Sequence, residues 1–241
     1  MLLIRNDRKL PNAKTKEKAA KKEKTSETEA QMKGEIYGKS NTHLSKKPVI
    51  YLDTNVILDH IRQRNNDSVV LIESIKKRKI KTWTSYYTLF EITEKQKEDS
   101  WVWKRVKNKE SLDDILRTRY PMKLNKYEMR TVYDEIQSKF WKDYIEKDVI
   151  LVNLPRDDDW DNILDLITWH NISIGDAFHV QAALQTSCDI FVTRDSKLAN
   201  EIKCLESDIQ VKLIVTEPKD IEKTLKLNGF HAIFPDANGD S

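Results

Sequence analysis

Only two cysteines, Cys188 and Cys204, occur in the 241 residues, and neither belongs to a CxxC pair. Two are too few for a disulfide framework, and both are expected as buried, reduced thiols. The five histidines, His43, His60, His170, His179 and His231, lack the close pairing of a zinc motif. Nowhere does an apolar run approach the roughly eighteen residues of a membrane-spanning helix. The opening apolar stretch ends at Arg5, too short for the core of a secretory signal. A cytoplasmic protein without a membrane partner is therefore the expectation. The chain has no GxxxxGKS/T loop, which excludes a P-loop nucleotide enzyme, and no internal repeat.

Charged residues make up 34% of the chain and apolar ones 39%. That apolar share suffices for one large domain, though it leaves little to spare. Six Trp and eight Tyr argue against a wholly disordered chain. The net charge of +3 conceals an asymmetry. Residues 1–47 hold 13 Lys and Arg against 6 Asp and Glu, whereas the remainder holds 29 against 33. Residues 1–46 have apolar side chains too scattered to bury and read as a basic, disordered arm. The alternative is a leader with no role. A domain is expected over 47–228, followed by a short tail at 229–241.

From Pro48 onward the texture changes. The run VIYL at 49–52 is continuously apolar, as in a strand buried on both faces. Similar runs recur at 149–154, 190–192 and 211–215, and more weakly at 80–83. Between them the apolar spacing is helical: Val69, Leu71, Ile72 and Ile75; then Val132, Ile136, Phe140 and Tyr144; then Trp160, Ile163, Leu164 and Ile167. Strands alternating with helices imply an α/β fold with a central parallel sheet sandwiched by helices. The segment 99–148 reads as a helical insertion of two helices broken near Pro121. Ligands of such sheets bind beyond the carboxyl ends of the strands.

Acidic residues gather at those ends. The first strand runs into Asp53-Thr54-Asn55 and the 190–192 run into Thr193-Arg194-Asp195. Glu91 lies about two turns into the helix after the weak strand, and Ser173-Ile174-Gly175-Asp176 opens another helix. Each has a plainer reading. Asp53, Thr54 or Asn55 could cap a helix; Ser173 and Asp176 have capping-box spacing; Thr193 could cap a helix whose dipole Asp195 favours; and Glu91, with Glu94 and Glu98, could be a solvated face. Those readings do not explain why the acids recur at one edge of the sheet.

Four segments, VIYLDTN at 49–55, TSYYTLFE at 84–91, DAFHVQAAL at 176–184 and FVTRD at 191–195, resemble the successive motifs of the PIN-domain family, in the family's order. The resemblance covers about 48–215. It implies metal-dependent hydrolysis of phosphodiesters, usually of RNA, through Asp53, Glu91, Asp176 and Asp195, with Asn55 and Thr193 at accessory polar positions. Many relatives are toxin ribonucleases of bacterial toxin–antitoxin pairs, so an inhibitory antitoxin-like partner and a homodimer enter as expectations. The basic arm and the helical insertion depart from those compact toxins.

An all-oxygen set suits Mg²⁺ or Mn²⁺. Such an ion relieves the mutual repulsion of the acids, holds the anionic phosphate and activates a water. Asp53, Asp176 and Asp195 are expected as direct or water-mediated ligands, and Glu91 as a ligand or as the residue that orients the attacking water. Their crowding should raise at least one carboxyl pKa. His179, three residues after Asp176, reads as structural or as a support to the ligands. Trp101, Trp103, Lys104 and Arg105 interleave aromatics with cations, a pattern that suits nucleic-acid contact or an amphipathic helix. Arg194 could touch a phosphate or pair with an acid. Two rival readings remain: a degenerate PIN fold that binds RNA or protein without catalysis, and an aspartyl-phosphate enzyme or receiver. The latter is disfavoured by Asn55 where such phosphatases carry a second Asp.

Overall fold

The computed structural model describes residues 47–118, 122–154, 156, 159–209 and 213–230, without the side chains of 206–209. The basic arm at 1–46, the break near Pro121 and most of the tail at 229–241 lie outside the described residues. Five parallel strands form one sheet: β1 (Ile50–Leu52), β2 (Thr82–Ser85), β3 (Leu151–Asn153), β4 (Ile190–Val192) and β5 (Ile214–Thr216), in the order β3-β2-β1-β4-β5. Chain order runs outward from β1 in one direction through β2 and β3, and from β4 in the other through β5. The switch point between β1 and β4 is where a parallel sheet opens its ligand crevice.

Period-two alternation divides the core. Ile50, Leu52, Ile190 and Val192 face one side, against α1 (Thr54–Ile61) and α2 (Asn66–Arg78). Tyr51 and Phe191, stacked with ring centroids 4.9 Å apart, face the other. That second side packs against α6 (Asp159–Thr168), α7 (Ile174–Gln185) and α8 (Ser196–Ile209). Because both faces are covered, the central strands need apolar residues at every position, which is why they read as unbroken runs.

The region expected as an insertion is continuous with the fold at its start. Helix α3 spans Tyr87–Lys107 and passes through Asp99 without a break. It is followed by α4 (Leu112–Arg117) and then α5 (Lys126–Ile136), whose axis carries on as π-helix over Gln137–Ile145. Asn125 and Glu128 close a capping box at the start of α5, and Phe140 and Tyr144 bury themselves in the first core. A 3₁₀ turn (Pro218–Asp220) and α9 (Ile221–Leu227) complete the described chain. Among the described residues no helix is long and apolar enough to cross a membrane.

Candidate active site

Asp53 follows β1 directly, and its backbone N–H continues the sheet by donating to the Val192 carbonyl at 3.0 Å. It occupies the N-cap position of α1, yet its side chain caps nothing. The carboxylate turns sideways instead: Asn55 Nδ2 donates to Oδ2 at 2.5 Å, and Thr193 Oγ1 donates to the same oxygen at 2.6 Å. Thr193, at the end of β4, is completely buried. Two donors therefore fix Oδ2 from behind and leave Oδ1 towards the crevice, where His179 Nε2 lies 3.9 Å away.

Glu91 reaches the same place from one turn inside α3. Its neighbours Glu94 and Glu98 pair outward with Lys97 and Lys95, at 2.6 and 3.1 Å. Glu91 instead meets His179 Nε2 at 2.9 Å. Asp53, Glu91 and His179 each bring one potential ligand atom into a group in which all atoms lie within 4.8 Å of one another.

His179 is more central than its sequence position suggested. It is buried on α7, and its Nδ1 faces the Tyr51 hydroxyl at 2.7 Å and Ser85 Oγ at 3.1 Å. Its Nε2 faces Glu91 and, at 3.3 Å, Thr54 Oγ1. A proton on Nε2 lets His179 donate to Glu91, while Nδ1 faces the Tyr51 and Ser85 hydroxyls. Both imidazole nitrogens are engaged, and the bond from Nε2 orients the Glu91 carboxylate. Thr54, Thr84 and Thr88 extend this hydroxyl network: Thr54 Oγ1 to Thr88 Oγ1 spans 3.2 Å, Thr84 to Thr88 spans 2.6 Å, and Thr84 donates to the Leu52 carbonyl at 3.0 Å.

Charge and burial compete in this cluster. Burial holds the Asp53 carboxyl above its ordinary value, and nearby Glu91 adds to the rise, while His179 and the Thr193 hydroxyl oppose it. Crowding by another acid thus contributes, but desolvation is the larger cause. Glu91 goes the other way. Burial pushes it up, but His179, with help from the Thr54 hydroxyl and the Lys95 charge, more than offsets this and leaves it lowered. Burial pushes His179 down, and the surrounding Glu91, Asp53 and Asp176 carboxylates reverse that and raise it.

Asp176 and Asp195 stand outside the close group. Asp176 exchanges hydrogen bonds with Ser173 at the start of α7: its N–H donates to Oγ at 3.3 Å, and Oδ2 accepts from Oγ–H at 2.6 Å. It is near enough to act electrostatically on both His179 and Tyr87. Asp195 Oδ1 accepts from the N–H groups of Lys197 and Leu198, at 2.8 and 3.0 Å, and so caps α8 itself. Its own N–H donates to Thr193 Oγ1 at 2.9 Å, which ties it to Asp53 through one shared hydroxyl. The cap of α8 is thus Asp195 and not Thr193, Ser173 caps α7 through the Asp176 N–H, and Asp53 caps nothing.

The residues expected to grip substrate are largely occupied elsewhere. Trp101 is buried, and the Arg105 guanidinium lies over its ring at 4.8 Å while pairing with Glu110. Lys104 pairs with Glu128 at 2.8 Å. In the 101–105 stretch only Trp103 presents an exposed ring. Trp101, Lys104 and Arg105 thus have contacts within their own helical layer. Arg194 pairs with the buried Asp59 on α1, an acid outside the motif set.

The PIN-domain family model matches residues 50–201, well over half of the chain. The chain belongs to the PIN-domain family. Comparison with curated proteins finds no match. PIN domains are generally nucleases that use divalent metals. The matched span opens with β1 and closes inside α8, so it contains Asp53, Glu91, Asp176, His179 and Asp195.

Proposed function

We propose that the protein is a divalent-metal-dependent endoribonuclease centred on Asp53 and Glu91. The observation that carries this reading is the convergence of those two carboxylates at the switch point of the sheet, in a group spanning at most 4.8 Å. Two acids so close repel each other by several kcal/mol (roughly 4 at an effective dielectric near 20). His179 offsets part of this, yet Asp53 stays desolvated and raised, a cost that a bound cation would relieve.

The donor set fits a hard cation. Asp53 offers Oδ1 while Asn55 and Thr193 hold Oδ2, and His179 orients Glu91. Mg²⁺ or Mn²⁺ bound there would supply the positive charge that draws an anionic phosphodiester to an acidic crevice and favours attack by water. Asp176 and Asp195 flank the pair and would hold the ion through water or receive the phosphate's solvation shell. The toxin-type reading, with an antitoxin-like partner and a homodimer, extends this proposal on motif resemblance.

A mixed RNA pool incubated with Mn²⁺ or with EDTA, with product ends mapped, tests the proposal. Metal-dependent internal cleavage by the wild type, lost in Glu91→Gln, is the expected result. Cleavage that continues in EDTA, or none with any divalent ion, would overturn it. The latter outcome favours a binding module without catalysis.

A further inference from the structure

A cavity of about 350 Å³ is lined in part by Ser85 and Tyr87, both of which contact His179; its size is within the range of small-ligand sites (roughly 300–1,000 Å³). Its walls come from the carboxyl ends of β2 and β3 and from α3, α6 and α7. Three of its aromatic side chains remain open: Tyr86 is 41%, Phe90 54% and Trp160 52% exposed. Exposed aromatic faces grouped around a hollow leave apolar surface that a flat ligand would cover.

The polar wall is specific. Gln181 Nε2 donates to Asp159 Oδ1 at 2.8 Å, and Asn153 Nδ2 donates to Gln185 Oε1. The Asn153 bond orients the Gln185 amide, yet its buried Nε2 has no hydrogen-bond partner among the described residues. A buried donor of this kind calls for an acceptor.

Ring contacts join the cavity to the acids. Trp160 stands edge-on to Phe178 at 5.7 Å, Phe178 stacks on Tyr87 at 5.3 Å, and Tyr87 stands edge-on to His179 at 6.0 Å. Space is tight here: a Cβ at Gly175 would meet the Tyr87 ring at 2.9 Å and Glu91 Oε1 at 3.5 Å.

We propose that this cavity binds one unstacked nucleobase of a single-stranded nucleic acid and so selects where the neighbouring phosphodiester is presented to Asp53 and Glu91. A base supplies a flat ring for the aromatic faces and a polar edge to set beside Gln181 and Gln185, which line the same cavity. Stacking on aromatic side chains is the usual way single strands are held. The link to cleavage rests on the nuclease reading, but affinity for a base does not.

Uncharged nucleosides (adenosine, guanosine, cytidine and uridine) titrated into the full chain in EDTA, followed by saturation-transfer NMR, separate the two. Saturable binding of at least one nucleoside is expected. Trp160→Ala and Phe90→Ala should weaken it about tenfold or more, the usual scale of one lost stack, and Trp160→Phe should retain it. Gln185→Met, which removes the donor and keeps the length, should change the order of preference among the four. In RNA cleavage mapping, Trp160→Ala should even out the base distribution at a fixed offset from the cut. Nucleoside binding without RNA cleavage upholds the pocket while the nuclease reading falls. RNA cleavage with no nucleoside binding, and with unchanged cut sites in Trp160→Ala, overturns the pocket and leaves the nuclease reading standing. A concentration-dependent dimer that Trp160→Ala dissolves, without nucleoside binding, would assign the cavity to a second copy of the chain and overturn the proposal as well.

Discussion

The single hydroxyl of Thr193 serves three partners. It donates to Asp53 Oδ2 at 2.6 Å, accepts from the Asp195 N–H at 2.9 Å, and lies 3.2 Å from Asn55 Nδ2. Thr193→Val preserves the shape and deletes the hydroxyl. A hydrogen bond to a charged group contributes about 1.5–3 kcal/mol, and the loss is felt in full when the acceptor stays buried. Asp53 is such an acceptor, only 6% exposed. A loss of about 2 kcal/mol is expected, which in a domain of this size lowers the melting temperature by roughly 4–8 °C. The Asp53 carboxyl, already raised by burial, should rise further. The assay is a thermal-melt cycle of wild type, Thr193→Val, Asp53→Asn and the double variant, in EDTA at mildly alkaline pH. Because a neutral acceptor halves the value of the bond, the Thr193→Val loss should shrink to about 1 kcal/mol in the Asp53→Asn background. The same loss in both backgrounds would mean that the hydroxyl does not act through the carboxylate, and the proposed positioning of Asp53 would be wrong.

Trp101→Ala should cost about 3–5 kcal/mol as a buried aromatic truncation, whereas Trp103→Ala, at a site 65% exposed, should leave the melting temperature nearly unchanged; the reverse order would restore Trp101 as a candidate nucleic-acid contact. Burial holds the His60 imidazole below its ordinary value of 6.5, so the folded state binds fewer protons than the unfolded one, and stability should fall as pH drops from about 6.5 through the lower folded value. Melting temperatures across that window should show this slope in the wild type and a flatter one in His60→Gln; equal slopes would dismiss His60 as its source. Burial raises the Cys188 thiol to about 11, while Cys204 is exposed; iodoacetamide on the folded chain should modify Cys204 alone by peptide mass, and prompt labelling of Cys188 would contradict its burial.

The sheet was legible because its central strands are covered on both sides. β1 and β4 need apolar residues at every position, and those unbroken runs were the strongest pattern in the sequence. β2 was fainter because its residues, Thr82 to Ser85, are partly polar: Thr84 and Ser85 supply hydroxyls to the network around His179 and Leu52. The start of the helical segment was misplaced for a related reason. α3 has apolar anchors at its two ends, Ile92 and Trp101 among them, and a charged stretch between that reads like a boundary yet stays helical. In the site, Asp53 and Glu91 were found through their motifs, but the role of His179 depends on a hydrogen bond across 88 residues of sequence, which no local spacing encodes. Its position three residues after Asp176, on the same face of one helix, was the signal available. The separation of Asp176 and Asp195 from the close pair follows from their bonds to Ser173 and to the start of α8.

The central claim is that Asp53 and Glu91 together form a divalent-cation site, and a Mn²⁺ titration followed by electron paramagnetic resonance measures this directly, with wild type, Asp53→Asn and Glu91→Gln side by side. Saturable Mn²⁺ binding is expected in the wild type, weakened roughly tenfold or more by either substitution, with both variants retaining their folded circular dichroism. Equal Mn²⁺ affinity in all three proteins, or no binding to the wild type, would contradict it.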